Sequence, residues 1–172
     1  MRNRIISEEE YDRIIKHVDS SYRPLFVLCA ETGYRIDDIL KMRQYMAYKT
    51  KITIKEEKTG KKRTVTMTDK ARAAALAQLS ICVPRNPLGY LFQSRTARSG
   101  QRRKLHRSTA ARQWAAAVKK AGLNGRGITV HSLRKLYATR SYAKTGSALA
   151  VMRDLGHDRI TTTTAYLFDL IM

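Results

Sequence analysis

Apolar residues recur at helical spacing along most of this chain. Ser7 and Glu10 form the Ser-x-x-Glu pattern of a capping box and predict a helix that runs to about Val18. A second helix is predicted over about 22–32 and ends at Gly33, since a glycine just past a periodic segment favours a helix stop. A third helix is predicted from near residue 36, with two aspartates in its first turn, where the helix dipole favours acids.

In the next segment the side-chain character alternates with a period of two residues, as in a β-strand. Residues 51–57 and 63–67 are β-branched and alternating, and they predict two strands joined by a hairpin turn over 58–62. Further helices are predicted over 69–79, 108–121 (capped by Ser108), 131–144 and 147–155 (capped by Ser147 and ended by Gly156), with a short last helix near 161–167. Residues 80–107 carry prolines and glycines and are predicted to be loops, with Leu91-Phe92 as a short buried piece. The expected fold is mixed α/β and mainly α-helical, with one small antiparallel β-hairpin.

Charge narrows the class of partner. The chain of 172 residues carries 34 Lys and Arg against 14 Asp and Glu, a formal net charge of +20. From Lys70 to Arg153, with both ends included, there are eighteen basic residues and not one acid. A long block of one sign indicates a polyanionic partner, and nucleic acid is favoured over a membrane surface. No apolar run approaches a transmembrane span, and the N-terminus lacks the apolar region of a signal peptide.

The two cysteines point to a reducing compartment. Cys29 and Cys82 lie in apolar surroundings without the spacing of metal ligands. They are predicted to be free structural thiols, which are typical of cytoplasmic proteins.

The last quarter of the chain carries the candidate chemistry. His131 and Arg134 lie three residues apart on a predicted helix, His157 follows Leu155-Gly156, and Tyr166 comes nine residues later. Arginine binds phosphate oxygens bidentately, histidine transfers protons near neutral pH, and tyrosine offers a nucleophilic oxygen. Together with Arg35 and Lys58 upstream, these residues predict a DNA strand-transfer site. Neither a phosphate-binding glycine loop nor a metal cluster is evident, so no cofactor or metal is expected.

Each of these residues also has an ordinary interpretation. Arg35 could be a solvated arginine at a helix start, and Lys58 a charged residue of a turn. His131 with Arg134 could be a surface pair, and His157 could be exposed at a helix end. Tyr166 is one of nine tyrosines and could be packing. The site interpretation rests on the order and joint spacing of the set.

In that order the motifs resemble the tyrosine recombinases, or phage integrase family. The catalytic domain of that family contains a Thr-Gly-x-Arg turn, a lysine at a β-hairpin, a His-x-x-Arg helix, a Leu-Gly-His turn and a tyrosine about nine residues later. The matching segments are Thr32-Gly33-Tyr34-Arg35, Lys58 in Glu57-Lys58-Thr59-Gly60, His131-Ser132-Leu133-Arg134, Leu155-Gly156-His157 and Tyr166. Asp37-Asp38-Ile39-Leu40 also resembles the family pattern, and the resemblance spans nearly the whole chain.

The resemblance implies that Tyr166 attacks the scissile phosphate, giving a 3′-phosphotyrosyl link and a free 5′-hydroxyl. Arg35 and Arg134 can hold the non-bridging oxygens, where the transition state gathers negative charge. His131 is the candidate to accept the tyrosine proton, and His157 is a further donor to the phosphate.

Lys58 is the candidate acid for the leaving 5′-oxygen. Lys61 and Lys62 lie in the same predicted turn and remain alternatives to it. The densest basic run, residues 95–107, is expected either to be a disordered solvated loop or to order on DNA by contacting phosphates. The predicted DNA contacts are Lys61, Lys62, Arg95, Arg98, Arg102, Arg103, Lys104 and Arg107.

Members of the family usually carry an N-terminal helical core-binding domain, for which this chain has no room. Residues 1–172 are expected to be a single catalytic domain, either a fragment or a small recombinase similar to the fimbrial switch invertases. Only six residues follow Tyr166, which puts in doubt the exchange of tails between protomers. The expected partners are double-stranded DNA and further copies in a synaptic tetramer, in a bacterial or phage nucleoid. The alternatives are a type IB topoisomerase and a non-catalytic DNA-binding protein of the same fold.

Overall fold

The computed structural model describes residues 4–98, 101–123 and 127–157, with only the backbone for residues 95–98 and 101. Its helices are α1 Glu8–Lys16, α2 Arg23–Thr32, α3 Ile36–Ile39, α4 Asp69–Ser80, α5 Arg107–Lys120, α6 His131–Thr145 and α7 Ala148–Leu155, with a short 3-10 helix at Gln44–Tyr48. Its strands are β1 Lys51–Lys55, β2 Lys62–Thr66, β3 Gln93–Arg98 and β4 Gln101–Lys104. Within these ranges no helix is long and apolar enough to cross a membrane.

Most helix ends lie where the capping residues predicted them. Ser7 and Glu10 form the reciprocal capping box of α1, and Ser147 caps α7. Gly156 ends α7 in the left-handed conformation, with φ of 66°. The predicted cap of α5 is wrong, because the helix begins at Arg107 and the ring of His106 accepts the backbone N–H of Ser108. Histidine is a less common capping residue than serine, which is why the sequence favoured Ser108.

Helix α2 lies at the centre of the core. It packs against α4 and α6, and the side chains of Leu25, Phe26 and Leu28 are fully buried. The rings of Phe26 and Trp114 are 5.0 Å apart, which joins α2 to α5. Each such side chain contributes roughly 1.5–3 kcal/mol by leaving water. The core therefore fixes the C-terminal end of α2, from which the Thr32–Arg35 turn projects.

The two cysteines are buried and free, as predicted. Burial raises the pKa of Cys29 and of Cys82, so neither thiol is a thiolate near neutral pH.

The first hairpin confirms the predicted strands, with slightly shorter ends. Strands β1 and β2 are antiparallel, and Ile54 lies opposite Arg63. Ile52 and Ile54 face the core, while Thr53 is exposed. The turn is closed by two backbone hydrogen bonds between Glu56 and residues 60–61, each 2.9 Å long. Lys58 therefore lies at the tip of a closed turn.

A second hairpin occupies part of the segment that was predicted to be loops. Strands β3 and β4 pair antiparallel, with Ala97 opposite Arg102 and an irregularity in register between Gln93 and Ala97. The prediction failed because these strands are polar on both faces and show no apolar alternation. Much of the basic run is thus strand rather than disordered loop, although Leu91-Phe92 is buried as expected.

Gly33 is required at the end of α2 for two reasons. Its φ is +64°, and a Cβ placed there would lie 2.4 Å from Cδ1 of the Tyr137 ring. We expect Gly33→Ala to lower the free energy of unfolding by about 2–5 kcal/mol, combining about 1–2 kcal/mol of left-handed strain with about 1–3 kcal/mol of overpacking. Urea unfolding followed by circular dichroism measures this change.

Gly146→Ala is the matched control, because Gly146 has the same φ of +64° and no atom of the described residues lies within 4 Å of its Cβ position. It is expected to lose only the strain component. Equal losses in the two variants would mean that Tyr137 moves aside and that the steric argument is wrong.

Candidate active site

A cleft of about 510 Å³ opens between the α2–α3 turn, the first hairpin turn and the start of α6. Four predicted catalytic residues line it, namely Arg35, Lys58, His131 and Arg134. A fifth, His157, reaches this group through its Nε2, which lies 3.2 Å from Nη2 of Arg134. Tyr166 lies outside the described residues, so its place relative to the cleft stays a prediction.

Arg35 is placed by the backbone before it. The left-handed Gly33 ends α2, and Arg35 then caps α3 in an extended conformation, with its carbonyl accepting the N–H groups of Asp38 and Ile39. Its side chain points to the hairpin, where Nη1 donates to Oε2 of Glu56 at 2.8 Å. One guanidinium is thereby held at the junction of two helices and a hairpin.

Arg134 joins the ends of two helices. It lies on α6 one turn after His131, and its side chain is only 1% exposed. Its Nη1 donates to the carbonyl of Gly33 at 2.5 Å, and its Nη2 donates to the carbonyl of Leu155 at 2.7 Å. These carbonyls end α2 and α7, where the helix dipole favours a cation. Arg134 therefore fixes the α2 turn and the α7 end around itself.

Arg63 was missed by the sequence analysis. Its guanidinium stacks on the Tyr34 ring at 3.8 Å, and its Nη1 donates to the carbonyls of Thr32 at 3.2 Å and Asp154 at 2.5 Å. It thus bridges the same two helix ends as Arg134, one residue earlier on each. The sequence did contain a sign of this role. Arg63 lies opposite Ile54 on the inward face of the hairpin, where a cation needs a buried partner.

That partner is Glu56, which the sequence analysis also missed. Its carboxylate lies 2.8 Å from Arg35, 3.2 Å from Arg63 and 3.8 Å from Arg134. Burial opposes its ionisation, but the charges of Arg35 and Arg134 outweigh burial and lower its pKa below the ordinary value. The signal was the inward alternation of Ile52, Ile54 and Glu56.

Both histidines are neutral near pH 7 in this site. Burial, followed by the charges of Arg134 and Arg35, lowers the pKa of His131 to about 4. The same causes lower the pKa of His157 to about 4. A neutral imidazole has one nitrogen that accepts a proton and one that donates a hydrogen bond. His131 therefore has the protonation state that its expected role as a proton acceptor requires.

The structure separates the three lysines of the hairpin turn. Lys58 is exposed and lines the cleft. Lys62 is the first residue of β2 and pairs with Lys55, on the strand side of the turn. Lys61 is exposed and precedes it. Of these three lysines, Lys58 is the one that lines the cleft.

The predicted DNA contacts lie on and beside the two hairpins. Arg107 lines the cleft and pairs with Asp37 at 3.2 Å. Lys104 lines a neighbouring groove of about 840 Å³ with Arg43, whose guanidinium lies over the Tyr90 ring at 3.9 Å. The remaining members are exposed at Lys61, Lys62 and Arg103, half-buried at Arg102, and described by backbone alone at Arg95 and Arg98. A cationic surface thus adjoins the cleft.

Comparison with known proteins agrees with this architecture. Residues 4–169 match the model of the phage integrase family. The integrase of Escherichia phage P2 is 25% identical over 161 residues, which are 94% of this chain and 42% of that protein. The crystal structure of XerA recombinase superposes with a TM-score of 0.77 at 25% identity, covering 95% of this chain and 58% of that one.

A lambda integrase tetramer bound to a Holliday junction has a TM-score of 0.73 at 24% identity, with 96% of this chain and 48% of that one covered. The chain therefore spans less than half of either integrase and under two thirds of XerA. The superpositions confirm the predicted mainly helical fold with small antiparallel hairpins.

Proposed function

Because this chain belongs to the phage integrase family, we propose that it is a site-specific DNA recombinase that cleaves and rejoins strands through a 3′-phosphotyrosyl intermediate. The observation that carries the proposal is the convergence of Arg35, Lys58, His131 and Arg134 on one cleft. These residues come from three separate parts of the chain, and their chemistry is that of phosphoryl transfer. Preorganised cations of this kind stabilise the charge that develops on the non-bridging oxygens.

In the first step the hydroxyl oxygen of Tyr166 bonds to phosphorus, and the bond from phosphorus to the 5′-oxygen breaks. The tyrosine proton passes to neutral His131, and Lys58 supplies a proton to the departing 5′-oxygen. Arg35 and Arg134 hold the non-bridging oxygens, with His157 beside Arg134 as a further donor.

In the second step a 5′-hydroxyl of another strand attacks the phosphotyrosine and gives its proton to Lys58, while the bond to tyrosine breaks and the tyrosine oxygen takes back its proton from His131. The phosphodiester is kept as a phosphotyrosyl ester between the two steps, so rejoining needs no nucleotide hydrolysis.

The proposed partners are a DNA duplex and further copies of the chain. The net charge of +20 and the cationic hairpins support DNA. The lambda integrase relative forms a tetramer on a Holliday junction, and we propose a synaptic tetramer here by analogy. We further propose that residues 1–172 act as one catalytic domain. One hydrophobic core with members from Ile6 to Leu136 supports this proposal. The proposed place of action is the DNA of a bacterial or phage nucleoid.

Trapping of the covalent intermediate tests the function. Duplexes from the genomic neighbourhood of the gene would be nicked just 3′ of candidate cleavage positions, so that a short 5′-hydroxyl fragment diffuses away after cleavage. A protein–DNA adduct stable to denaturant is the expected result. Binding without an adduct would support a non-catalytic DNA-binding protein. Relaxation of supercoiled DNA without sequence preference or synapsis would support a topoisomerase.

The second hairpin should contribute to DNA affinity mainly through phosphates. The logarithm of the DNA affinity is expected to fall linearly with the logarithm of the salt concentration, with a slope of several units. Replacing Arg102, Arg103 and Lys104 by Ala should reduce that slope by about one for each lost phosphate contact. Fluorescence anisotropy at several salt concentrations measures the slope.

A control variant removes the same charge elsewhere. Lys119, Lys120 and Arg13 are exposed on α5 and α1. Helix α5 begins at the cleft with Arg107, and thirteen residues of helix place Lys120 about 20 Å farther along. Replacing Lys119, Lys120 and Arg13 together by Ala should leave the slope of log affinity against log salt nearly unchanged. Equal slopes for both triple variants would place the second hairpin away from DNA.

A further inference from the structure

Glu56 belongs both to the lysine turn and to the arginine cluster. Its backbone N–H donates to the carbonyl of Lys61, and its own carbonyl accepts the N–H of Gly60, so its main chain closes the turn that carries Lys58. Its side chain is only 1% exposed and points to the arginines.

The two carboxylate oxygens of Glu56 have different partners. Oε2 accepts from Nη1 of Arg35 at 2.8 Å and from the hydroxyl of Thr59 at 3.1 Å. Oε1 lies 3.2 Å from Nε of Arg63 and 3.8 Å from Nη1 of Arg134. One oxygen thus holds Arg35 and the turn, while the other faces the two arginines that bridge α2 and α7.

We propose that Glu56 is a positioning residue of the phosphate site, which holds Arg35 and the Lys58 turn in register with Arg134. Arg134 is fixed by the carbonyls of Gly33 and Leu155, so it provides the fixed point of the site. Within the described residues the guanidinium of Arg35 donates to no backbone carbonyl, and the side-chain carboxylate of Glu56 holds it instead. The inference rests on the proposed function for its role, although the geometry does not depend on it.

Electrostatics explains the presence of an acid beside an anion site. Three guanidinium groups this close repel one another, and a buried carboxylate between them offsets that repulsion. A carboxylate also repels a phosphate, and Arg63 compensates for that repulsion by pairing with Glu56 from the side of the core. The cluster keeps a net positive charge, since three arginines surround one glutamate.

The carboxylate of Glu56 holds the arginines in place, which favours catalysis, but it also repels the phosphate, which opposes DNA binding. Its removal should therefore change rate and affinity in different directions, and this makes the role testable. Glu56→Gln keeps the size of the side chain and one acceptor oxygen but removes the negative charge. DNA affinity is therefore expected to hold or rise, while the rate of adduct formation in the bound complex falls about 10- to 100-fold, because a misplacement of about 1 Å can cost roughly 10²-fold.

Glu31→Gln is the matched control. Glu31 is another shielded carboxylate, 12% exposed, that pairs with Arg140 at 3.0 Å and accepts from the hydroxyl of Thr68 at 2.8 Å. It does not line the described cleft. Its replacement is expected to lower the thermal midpoint while leaving the rate in the bound complex unchanged.

A second variant keeps the charge constant. Thr59→Val removes the hydroxyl that donates to Glu56 and that also accepts the N–H of Lys61 at 3.3 Å. The backbone hydrogen bonds of Glu56 still close the turn, so the fold should tolerate the change. The rate in the bound complex is expected to fall several-fold at unchanged DNA affinity.

Nuclear magnetic resonance of the arginine guanidinium groups gives a readout that needs no activity. In the wild-type protein the Nη signals of Arg35 should be resolved, since its pairing with Glu56 hinders rotation of the guanidinium. In Glu56→Gln they should average, while those of Arg134, held by backbone carbonyls, stay resolved as an internal reference. Unchanged Arg35 signals would overturn the proposal.

The outcomes separate the two proposals. If the wild-type protein forms no adduct on DNA but the Arg35 signals average in Glu56→Gln, recombinase function fails and the positioning of Arg35 stands. If the wild-type protein forms the adduct and Glu56→Gln keeps its rate within about twofold, the positioning role fails and the function stands. If DNA affinity, the rate of adduct formation and the thermal midpoint all fall together in Glu56→Gln, the role of Glu56 is structural and the positioning role fails.

Discussion

Tyr166→Phe is expected to abolish covalent attachment to DNA and to leave DNA affinity and folding intact. The change removes one oxygen, which is the nucleophile in the proposed reaction, and keeps the aromatic ring. Tyr34 also lines the described part of the cleft, but its side chain is 1% exposed and its hydroxyl donates to the carbonyl of Arg63, so it is not expected to replace the nucleophile and the loss should be complete within detection. Denaturing gel electrophoresis after incubation with the nicked duplex measures the adduct, and anisotropy measures affinity.

Tyr137→Phe and Tyr142→Phe are the controls on α6. Burial raises the pKa of the Tyr137 hydroxyl, and its ring packs against Gly33, so it is a structural residue rather than a nucleophile. Both control variants should form the adduct at the wild-type rate in the bound complex. An adduct that persists in Tyr166→Phe, or that peptide mass mapping assigns to another tyrosine, would refute the assignment.

Lys58→Ala is expected to slow cleavage of an ordinary phosphodiester by roughly 10²–10⁴-fold, the range typical of general acid catalysis. A 5′-alkoxide is a poor leaving group unless it is protonated, and Lys58 is an exposed amine in the lining of the cleft. A substrate with sulfur at the bridging 5′ position should restore much of the rate, because a thiolate leaves without a proton. Single-turnover cleavage of both substrates measures the two rates.

Lys61→Ala and Lys62→Ala are the matched variants in the same turn. Each should weaken DNA binding slightly and keep the cleavage rate in the bound complex on both substrates. If the sulfur substrate restores the cleavage rate of one of these variants but not that of Lys58→Ala, the general acid is that lysine and not Lys58.

The sequence predicted those parts of the fold that local chemistry specifies. The capping box at Ser7, the left-handed Gly33 and the stop at Gly156 each act within a few residues, so their patterns could be read directly. The motif residues on the cleft were found because their order and spacing form a family pattern. The second hairpin was missed because its strands are stabilised by backbone pairing and carry no apolar face.

The partners of the site residues could not be predicted in the same way. Arg134 donates to Gly33, which lies 101 residues earlier, and no periodicity links such positions. Glu56 and Arg63 occupy inward positions of alternating strands, so the sequence did signal two buried charges of opposite sign. That they share one site with Arg35 depends on how the hairpin packs against α2 and α6, which only the fold supplies.

The low pKa values of His131 and His157 make protons and DNA linked ligands of one cleft. Burial, followed by the charges of Arg134 and Arg35, keeps both imidazoles neutral. A phosphodiester between the two arginines would offset the arginine part of this effect and, at unchanged burial, raise the pKa of each imidazole. Association with DNA would draw protons from the buffer, and by thermodynamic reciprocity a fall in pH toward those pKa values would tighten association. A proton on either imidazole and a phosphodiester in the cleft would therefore stabilise each other.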